Sequence, residues 1–484
     1  MPDFSGKRFF LDPKSIVCYN HLQKTFVRIQ VLVMKKRRFS VSTTQMILLS
    51  FLIVILLGTL LLSLPISSAS GKATPFVDAL FTATTSTCVT GLVVVPTVSS
   101  WSTFGHIVIL ILIQVGGLGV VTIMSGIMIL FHRRMGIGDR LLLQDAFNLN
   151  SLSGLVFFVK KVLLGTFLIE GIGALLYMTV FVPRFGARGI WISVFNAISA
   201  FCNAGIDIMA ENSLCDFATD PMINFVTSAL IILGGIGYIV WWDVVRVVKL
   251  SSTKRIKLFR DLTLHSKIAI VASIVLTLAG AALILIFEYD NPLTIKDYSL
   301  FDKIQVSLFQ SVTTRTAGFA SVPHENLTNA TAILCLLLMF IGASPVGTAG
   351  GIKTVTFVIL VASAFAAIGN KEDTELFGRR LTKEAVGKAV AVCCMSFLIM
   401  FTSTVLLSAV TDASALDVFY ETVSATATVG LTRNLTPSLD TVGKMIVIVT
   451  MYLGRVGPIS LALAFRRKKN QNIVRNPVEE ISVG

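Results

Sequence analysis

Four short stretches of this chain share a pattern with chemical consequences: "FTATTSTCVTGL", "FNAISAFCNAGI", "LFQSVTTRTAGF" and "YETVSATATVGL". Each is rich in Ser, Thr and small residues. Aligned without gaps, Phe81, Phe195, Leu308 and Tyr420 stand ten positions before a glycine (Gly91, Gly205, Gly318, Gly430), and an apolar residue follows it (Leu92, Ile206, Phe319, Leu431). The glycines are 114, 113 and 112 residues apart, a regularity hard to obtain by chance in a chain with 35 glycines. The groups such segments can offer are backbone carbonyls. An extended stretch beside a glycine can turn rings of oxygens toward an axis, where they replace the hydration shell of a cation. Glycine is required because one position per copy must take backbone angles that aim a carbonyl inward with no side chain in the way. The residues assigned to this filter are Val89, Thr90 and Gly91; Asn203, Ala204 and Gly205; Thr316, Ala317 and Gly318; and Thr428, Val429 and Gly430.

Positioning four such segments is the task of long apolar elements. The chain has 484 residues, 54% of them hydrophobic and 14% charged, and a mean hydropathy of +0.80, which marks an integral membrane protein. Apolar runs at roughly 45–64, 104–131, 162–183, 222–242, 267–288, 330–369 (interrupted), 386–411 and 442–465 are each long enough to cross a hydrocarbon core of about 30 Å. The glycine segments lie between successive pairs of runs and are too short and polar to span. Each repeat is thus an outer helix, a re-entrant helix ending at the glycine and an inner helix. The expected fold is an all-α polytopic membrane protein of four parallel helix, pore-loop, helix repeats around a central pore, with eight transmembrane and four re-entrant helices. The repeats are related by an axis along the membrane normal, unlike the inverted pairs of many carriers. The divisions are a basic arm over 1–42, repeats over 43–135, 136–249, 250–370 and 371–466, and a tail over 467–484.

Charge sets the orientation. Segments 1–42, 132–161, 243–267, 371–388 and 466–484 hold 31 Lys and Arg against 12 Asp and Glu, while the opposite side holds 8 against 14. By the positive-inside rule both termini are cytoplasmic. The overall charge of +14 is therefore topological, with some contact to anionic lipid, and does not point to nucleic acid. The polar, basic N-terminal 42 residues do not resemble a cleavable signal peptide. Cys18, Cys88, Cys202, Cys215, Cys335, Cys393 and Cys394 show no metal-ligand or paired spacing, and His21, His106, His132, His265 and His324 are scattered. With no nucleotide loop, triad or metal cluster, an enzyme is not expected.

A segment that enters and leaves on one side must be buried in protein or line water, and four such segments around an axis do both. Re-entrant helices pointing their C-terminal ends inward add a dipole that favours a cation. A second glycine motif follows each filter segment, in the next helix: "QVGGLG", "LGGIGY", "IGASPVGTAGGIK" and "YLGRVG". In the third, one proline and four glycines fall within a single inner helix, which predicts a break and an intramembrane loop.

Ionised residues at mid-membrane cost at least ~2.5–3.5 kcal/mol, so each needs a reason. Arg455, 25 residues after Gly430, is expected to face the pore from the last inner helix, or to pair with an acid such as Glu170. Lys353 ends the loop. Arg315 and Glu421 fall behind the filter, as structural supports rather than ion ligands. Asp78 and Asp417 fall at the starts of the first and fourth re-entrant helices as capping residues; with Asp207, Glu211, Asp216 and Asp220 they make the outer mouth acidic. Asp243 and "VRNPVEE" are either partner contacts or plain solvated residues.

The four repeats, the glycines and the motifs "TTRTAGF", "GASPVGTAGGIKT" and "GRVGP" resemble the Trk/Ktr/HKT superfamily of potassium transporters over residues 43–465. Within it the chain looks most like the membrane subunit of a bacterial Ktr potassium uptake system, since no helix pair precedes the first repeat. The resemblance implies potassium as the transported ion bound at the filter, four filter glycines going with potassium preference. It implies that Gly342, Ala343, Ser344, Pro345, Gly347, Thr348, Gly350, Gly351 and Lys353 form a gate, with Arg455 as a barrier beneath the filter. It further implies a homodimer in the bacterial plasma membrane, a cytosolic nucleotide-binding ring of RCK-type subunits, no covalent cofactor, and sodium as a candidate activator. A coupled sodium/potassium or proton/potassium symporter stays open, because broken helices with ionisable residues also occur in carriers.

Overall fold

The structure, a computed structural model, describes residues 42–131, 136–146, 154–251, 259–457 and 479. The basic arm and the C-terminal tail with "VRNPVEE" lie outside the described residues, apart from Ser42 and Glu479.

The chain is a polytopic helical membrane protein in which one motif recurs four times. The outer helices are Thr43–Leu62, Leu155–Phe185, Leu264–Glu288 and Lys383–Ser408. The re-entrant helices are Phe76–Cys88, Ala187–Cys202, Leu300–Thr313 and Ala415–Ala427. Local chemistry fixes many starts. Ser299 and Ser414 accept from the amides of Asp302 and Asp417 and donate back to their carboxylates at 2.7 Å, a reciprocal cap that satisfies a free N–H. Thr263, Thr328, Thr382 and Asp440 cap the helices after them by accepting from the amides of Ser266, Thr331, Ala385 and Gly443. On the first outer helix Leu49, Leu52, Ile53, Leu56, Leu57 and Leu60 stay exposed, an apolar face that suits lipid and not water.

Each inner helix is interrupted or ends at a left-handed glycine. The first two are pairs, Thr103–Leu118 with Val120–Leu130 and Pro221–Gly235 with Tyr238–Leu250, bent by 98° and 95°. The third is split into Asn329–Phe340 and Thr354–Ile368, and the fourth is described over Thr441–Val456. Among the described residues, four outer helices alternate with four inner helices when each bent or split pair is taken as one. The sequence predicts a break in the third inner helix alone, and the bends in the first two are a correction. They occur at Gly119 and Gly237, whose φ of 85° and 96° no helix accommodates. A short helix, Ile137–Ala146, and a two-stranded ribbon pairing Glu375–Leu376 with Arg379–Arg380 are further additions to the expected all-helical repeats.

The glycines of the second motif have a packing role. A β-carbon on Gly116, Gly234 or Gly454 would overlap the backbone of Thr87, Phe201 or Thr426 respectively. Each of these stands four residues before Gly91, Gly205 or Gly430, respectively. Only glycine lets the inner helix come this close to the end of the re-entrant helix.

Candidate ion-permeation site

The four re-entrant helices end at equivalent points, and there the backbone repeats an unusual conformation. Val89, Asn203, Thr316 and Thr428, two residues before each glycine, have φ of 54°, 59°, 68° and 52°. The glycines themselves have φ of 97°, 62°, 87° and 98°. A left-handed β-branched residue is strained, and such strain persists only where surroundings impose it.

These segments form a closed ring. A β-carbon placed on Gly91 would come within 2.6 Å of the Ala204 carbonyl oxygen, one on Gly205 within 2.6 Å of Ala317 O, and one on Gly318 within 2.5 Å of Val429 O. On Gly430 it would overlap Thr90 O. The order runs from the first repeat to the fourth and back to the first, with each glycine against the residue before the next glycine. Among the described residues, no hydrogen bond reaches the carbonyls of Thr90, Ala204, Ala317 and Val429.

Hydroxyls that sequence reasoning passed over hold this backbone. Thr85 and Ser424, six positions before their glycines, accept from the amides of Gly91 and Gly430 at 3.0 Å. Ser199 bridges to Ile206 through the Ile206 amide and carbonyl. In the third repeat the hydroxyl is shifted by one position, and Thr313 donates to Phe319 O at 2.6 Å. A Ser or Thr near that register in every segment was the available signal. Amide protons are thus engaged by the helix end, while the carbonyls stay free.

A cavity lies on each side of the ring. One, of about 370 Å³, is lined by all four glycines with Asp207, Glu211, His324 and Glu325. The other, of about 400 Å³, is lined by Gly119, Tyr238, Pro345, Gly347, Lys353 and Arg455. On this second side residues 341–353 separate Asn329–Phe340 from Thr354–Ile368, a stretch that contains the loop expected over 342–353. Ile341 and Ile352 bridge in parallel at its neck. Ser344 and Thr348 donate their amides to Gly235 O and Gly234 O at 2.9 and 3.1 Å. The Gly350 amide donates to Thr316 Oγ1 at 3.2 Å.

Arg455 is held by carbonyls. Its guanidinium donates to Thr348 O at 2.6 Å and to Gly116 O, joining the loop to the first inner helix. Glu170 is not its partner: that carboxylate accepts from Gln114 Nε2 at 3.1 Å and from the Cys202 thiol. Lys353 folds back on its own loop, donating to Ala349 O and, at 3.1 Å, to Gly350 O. Arg315 points away from the ring, toward Ser273 O at 3.2 Å and Thr277 Oγ1 at 3.3 Å on the third outer helix. Glu421 accepts from Thr432 Oγ1 at 2.6 Å and from Thr436 Oγ1, so it braces the chain just past Gly430.

The acidic mouth is narrower than expected. Asp78 pairs with Lys444 at 2.7 Å, Asp417 with Arg433 at 2.6 Å and Asp220 with Arg184 at 2.8 Å. Asp220 is the true helix cap of the six acids, accepting from the amides of Met222 and Ile223. Asp207 and Glu211 still line the glycine-side cavity. Burial pushes the Asp207 carboxyl up to about 6, against hydrogen bonds from Ser213, Met209 and Ala210 that pull it down. Asp243 is buried against Thr263 and Arg246, which accounts for its charge without a partner protein.

Comparison with known proteins agrees with this architecture. The family model TrkH, described as a cation transport protein, matches residues 23–475. The Ktr system potassium uptake protein B of Bacillus subtilis is 39% identical over 91% of this chain and 96% of its own length. The potassium/sodium uptake protein NtpJ of Enterococcus hirae is 38% identical over 93% of this chain and 100% of its own. The crystal structure of the potassium transporter TrkH from Vibrio parahaemolyticus superposes with a TM-score of 0.70 at 15% identity, covering 89% of this chain and 86% of that one, which supports the fold. The chain belongs to the TrkH family of cation transport proteins.

Proposed function

We propose that the chain is the ion-translocating membrane subunit of a potassium uptake system, conducting potassium along the axis of the glycine ring. The observation that carries this reading is the closed four-repeat ring with its free carbonyls at Thr90, Ala204, Ala317 and Val429. A cation stripped of water finds oxygen ligands there, with the C-terminal ends of four helix dipoles aimed at it. The filter comprises Val89, Asn203, Thr316 and Thr428, the four residues that follow them, and the four glycines. Curated relatives named for potassium uptake support the choice of ion; one of them is named for sodium as well, which makes discrimination the quantity to measure.

Residues 342–353 act as the gate. The loop stands between the ring and the second cavity, and Arg455 latches it to the first inner helix. A fixed positive charge there repels cations while the loop is seated. Arg315 and Glu421 support the third and fourth segments from behind. The glycine-side cavity is extracellular and the loop-side cavity cytoplasmic, in keeping with the basic blocks at both termini. A separate cytosolic nucleotide-binding subunit moves the loop, and the membrane subunit works as a homodimer; the naming of relatives as components of a Ktr system supports the first of these.

Complementation tests the reading. In a strain unable to take up potassium, the chain is expected to restore growth at low potassium, more strongly with a matching cytosolic subunit. No rescue in either background, with the protein present in the membrane, contradicts it.

A further inference from the structure

Three of the four left-handed residues beneath the glycines are in contact with the loop. Thr348 Oγ1 donates toward Phe201 O at 3.1 Å and Asn203 Oδ1 at 3.3 Å. The Gly350 amide reaches Thr316 Oγ1 at 3.2 Å. Gly350 also packs so tightly on Thr428 that its hydroxyl would overlap any β-carbon there. Val89, which has no polar side-chain atom, is the exception. Residues with side chains hold a left-handed backbone only when their neighbours impose it, and the loop is one of those neighbours. The loop is itself fixed, through the Thr348 amide on Gly234 O at 3.1 Å and the Thr348 carbonyl under Arg455 at 2.6 Å.

We propose that the loop is part of the filter's scaffold, with Thr348 a positioning residue whose hydroxyl keeps Asn203, Ala204 and Gly205 in place, so that ion discrimination depends on the loop being seated. The inference rests on the filter and gate readings above. Unseating the loop withdraws the Thr348 donor from the second repeat and the Gly350 donor from the third in one motion. The movement that opens the path therefore also loosens the carbonyl ring, and the protein discriminates best when it conducts least.

The test compares Thr348→Val, which keeps the shape and loses the hydroxyl, with Thr348→Ser, which keeps the hydroxyl. Potassium and sodium fluxes are measured separately for the full chain in liposomes. The valine variant is expected to lower the potassium-to-sodium flux ratio by about 3- to 10-fold, the factor one hydrogen bond carries, and the serine variant to retain the parent ratio. Thr316→Val against Thr316→Ser repeats the comparison through the third repeat and decides the matter if Thr348→Val does not fold. A raised flux with an unchanged ratio in the valine variants overturns the coupling and leaves the gate standing. An unchanged ratio together with unchanged flux also overturns it. Failure of the gate reading shows elsewhere, as an unaltered flux after partial deletion of the loop.

Discussion

A β-carbon on Gly430 would overlap the carbonyl oxygen of Thr90, and this contact joins the last repeat to the first. Together with the matching contacts at Gly91, Gly205 and Gly318 it makes the four segments one ring, so a side chain at any of these glycines disturbs a neighbouring repeat as well as its own. Gly91→Ser is one such change. Its φ of 97° and the Ala204 oxygen 2.6 Å from the new β-carbon both oppose it. Backbone strain of about 1–3 kcal/mol at the ring would lower potassium over sodium discrimination roughly tenfold. An unaltered ratio of the two fluxes would show that the ring is not the filter.

Shortening the loop removes the obstruction, together with the Thr348 and Gly350 contacts that reach Asn203 and Thr316. Deletion within 343–351 is expected to raise potassium flux and to free it from any cytosolic subunit. Flux that stays low and subunit-dependent after the deletion would rule out the gate assignment.

Arg455 spans Thr348 O and Gly116 O with two arms of a planar group. Glutamine at this position loses the charge and most of the reach, so Arg455→Gln should raise resting flux. Lysine keeps the charge but cannot bridge two carbonyls in the same way, and Arg455→Lys should fall between the parent and Arg455→Gln. Equal fluxes in all three proteins would argue against a latch.

Asp207 supplies a pH dependence. Its carboxyl, raised by burial to about 6, is ionised at pH 7.5 and loses its charge as the pH falls through that value. A negative charge in the cavity above the glycines attracts cations. The half-saturating potassium concentration is therefore expected to rise as the external pH drops from about 7.5 to about 5.5. Asp207→Asn should show the higher value at both pH values. A pH dependence that survives in Asp207→Asn would assign the effect to another group.

Much of this was legible because a repeat is a one-dimensional signal. The spacing of Gly91, Gly205, Gly318 and Gly430 names the segments the structure brings together, and "GASPVGTAGGIK" announces its break by composition. What escaped depends on contacts between distant parts of the chain. "QVGGLG" and "LGGIGY" lie in runs read as unbroken, yet the chain bends by more than 90° at Gly119 and Gly237, where Gly116 and Gly234 press onto neighbouring helix ends. Glu170 could be matched to Arg455 by sign alone, but the fold gives it Gln114 and gives Arg455 backbone oxygens. The same holds for Asp78 and Lys444, whose pairing across 366 positions no local pattern encodes. Thr85, Ser199 and Ser424 were visible as a column of hydroxyls, but a column of small polar residues has no stated purpose until the amides it serves are located.

The central claim is a selective, channel-like path through the glycine ring, and unidirectional flux in liposomes containing the purified chain tests it most directly. Potassium flux far above the turnover of an alternating-access carrier, passive in direction and several-fold greater than sodium flux, is the predicted result. Slow transport in fixed stoichiometry with sodium or protons would contradict the account.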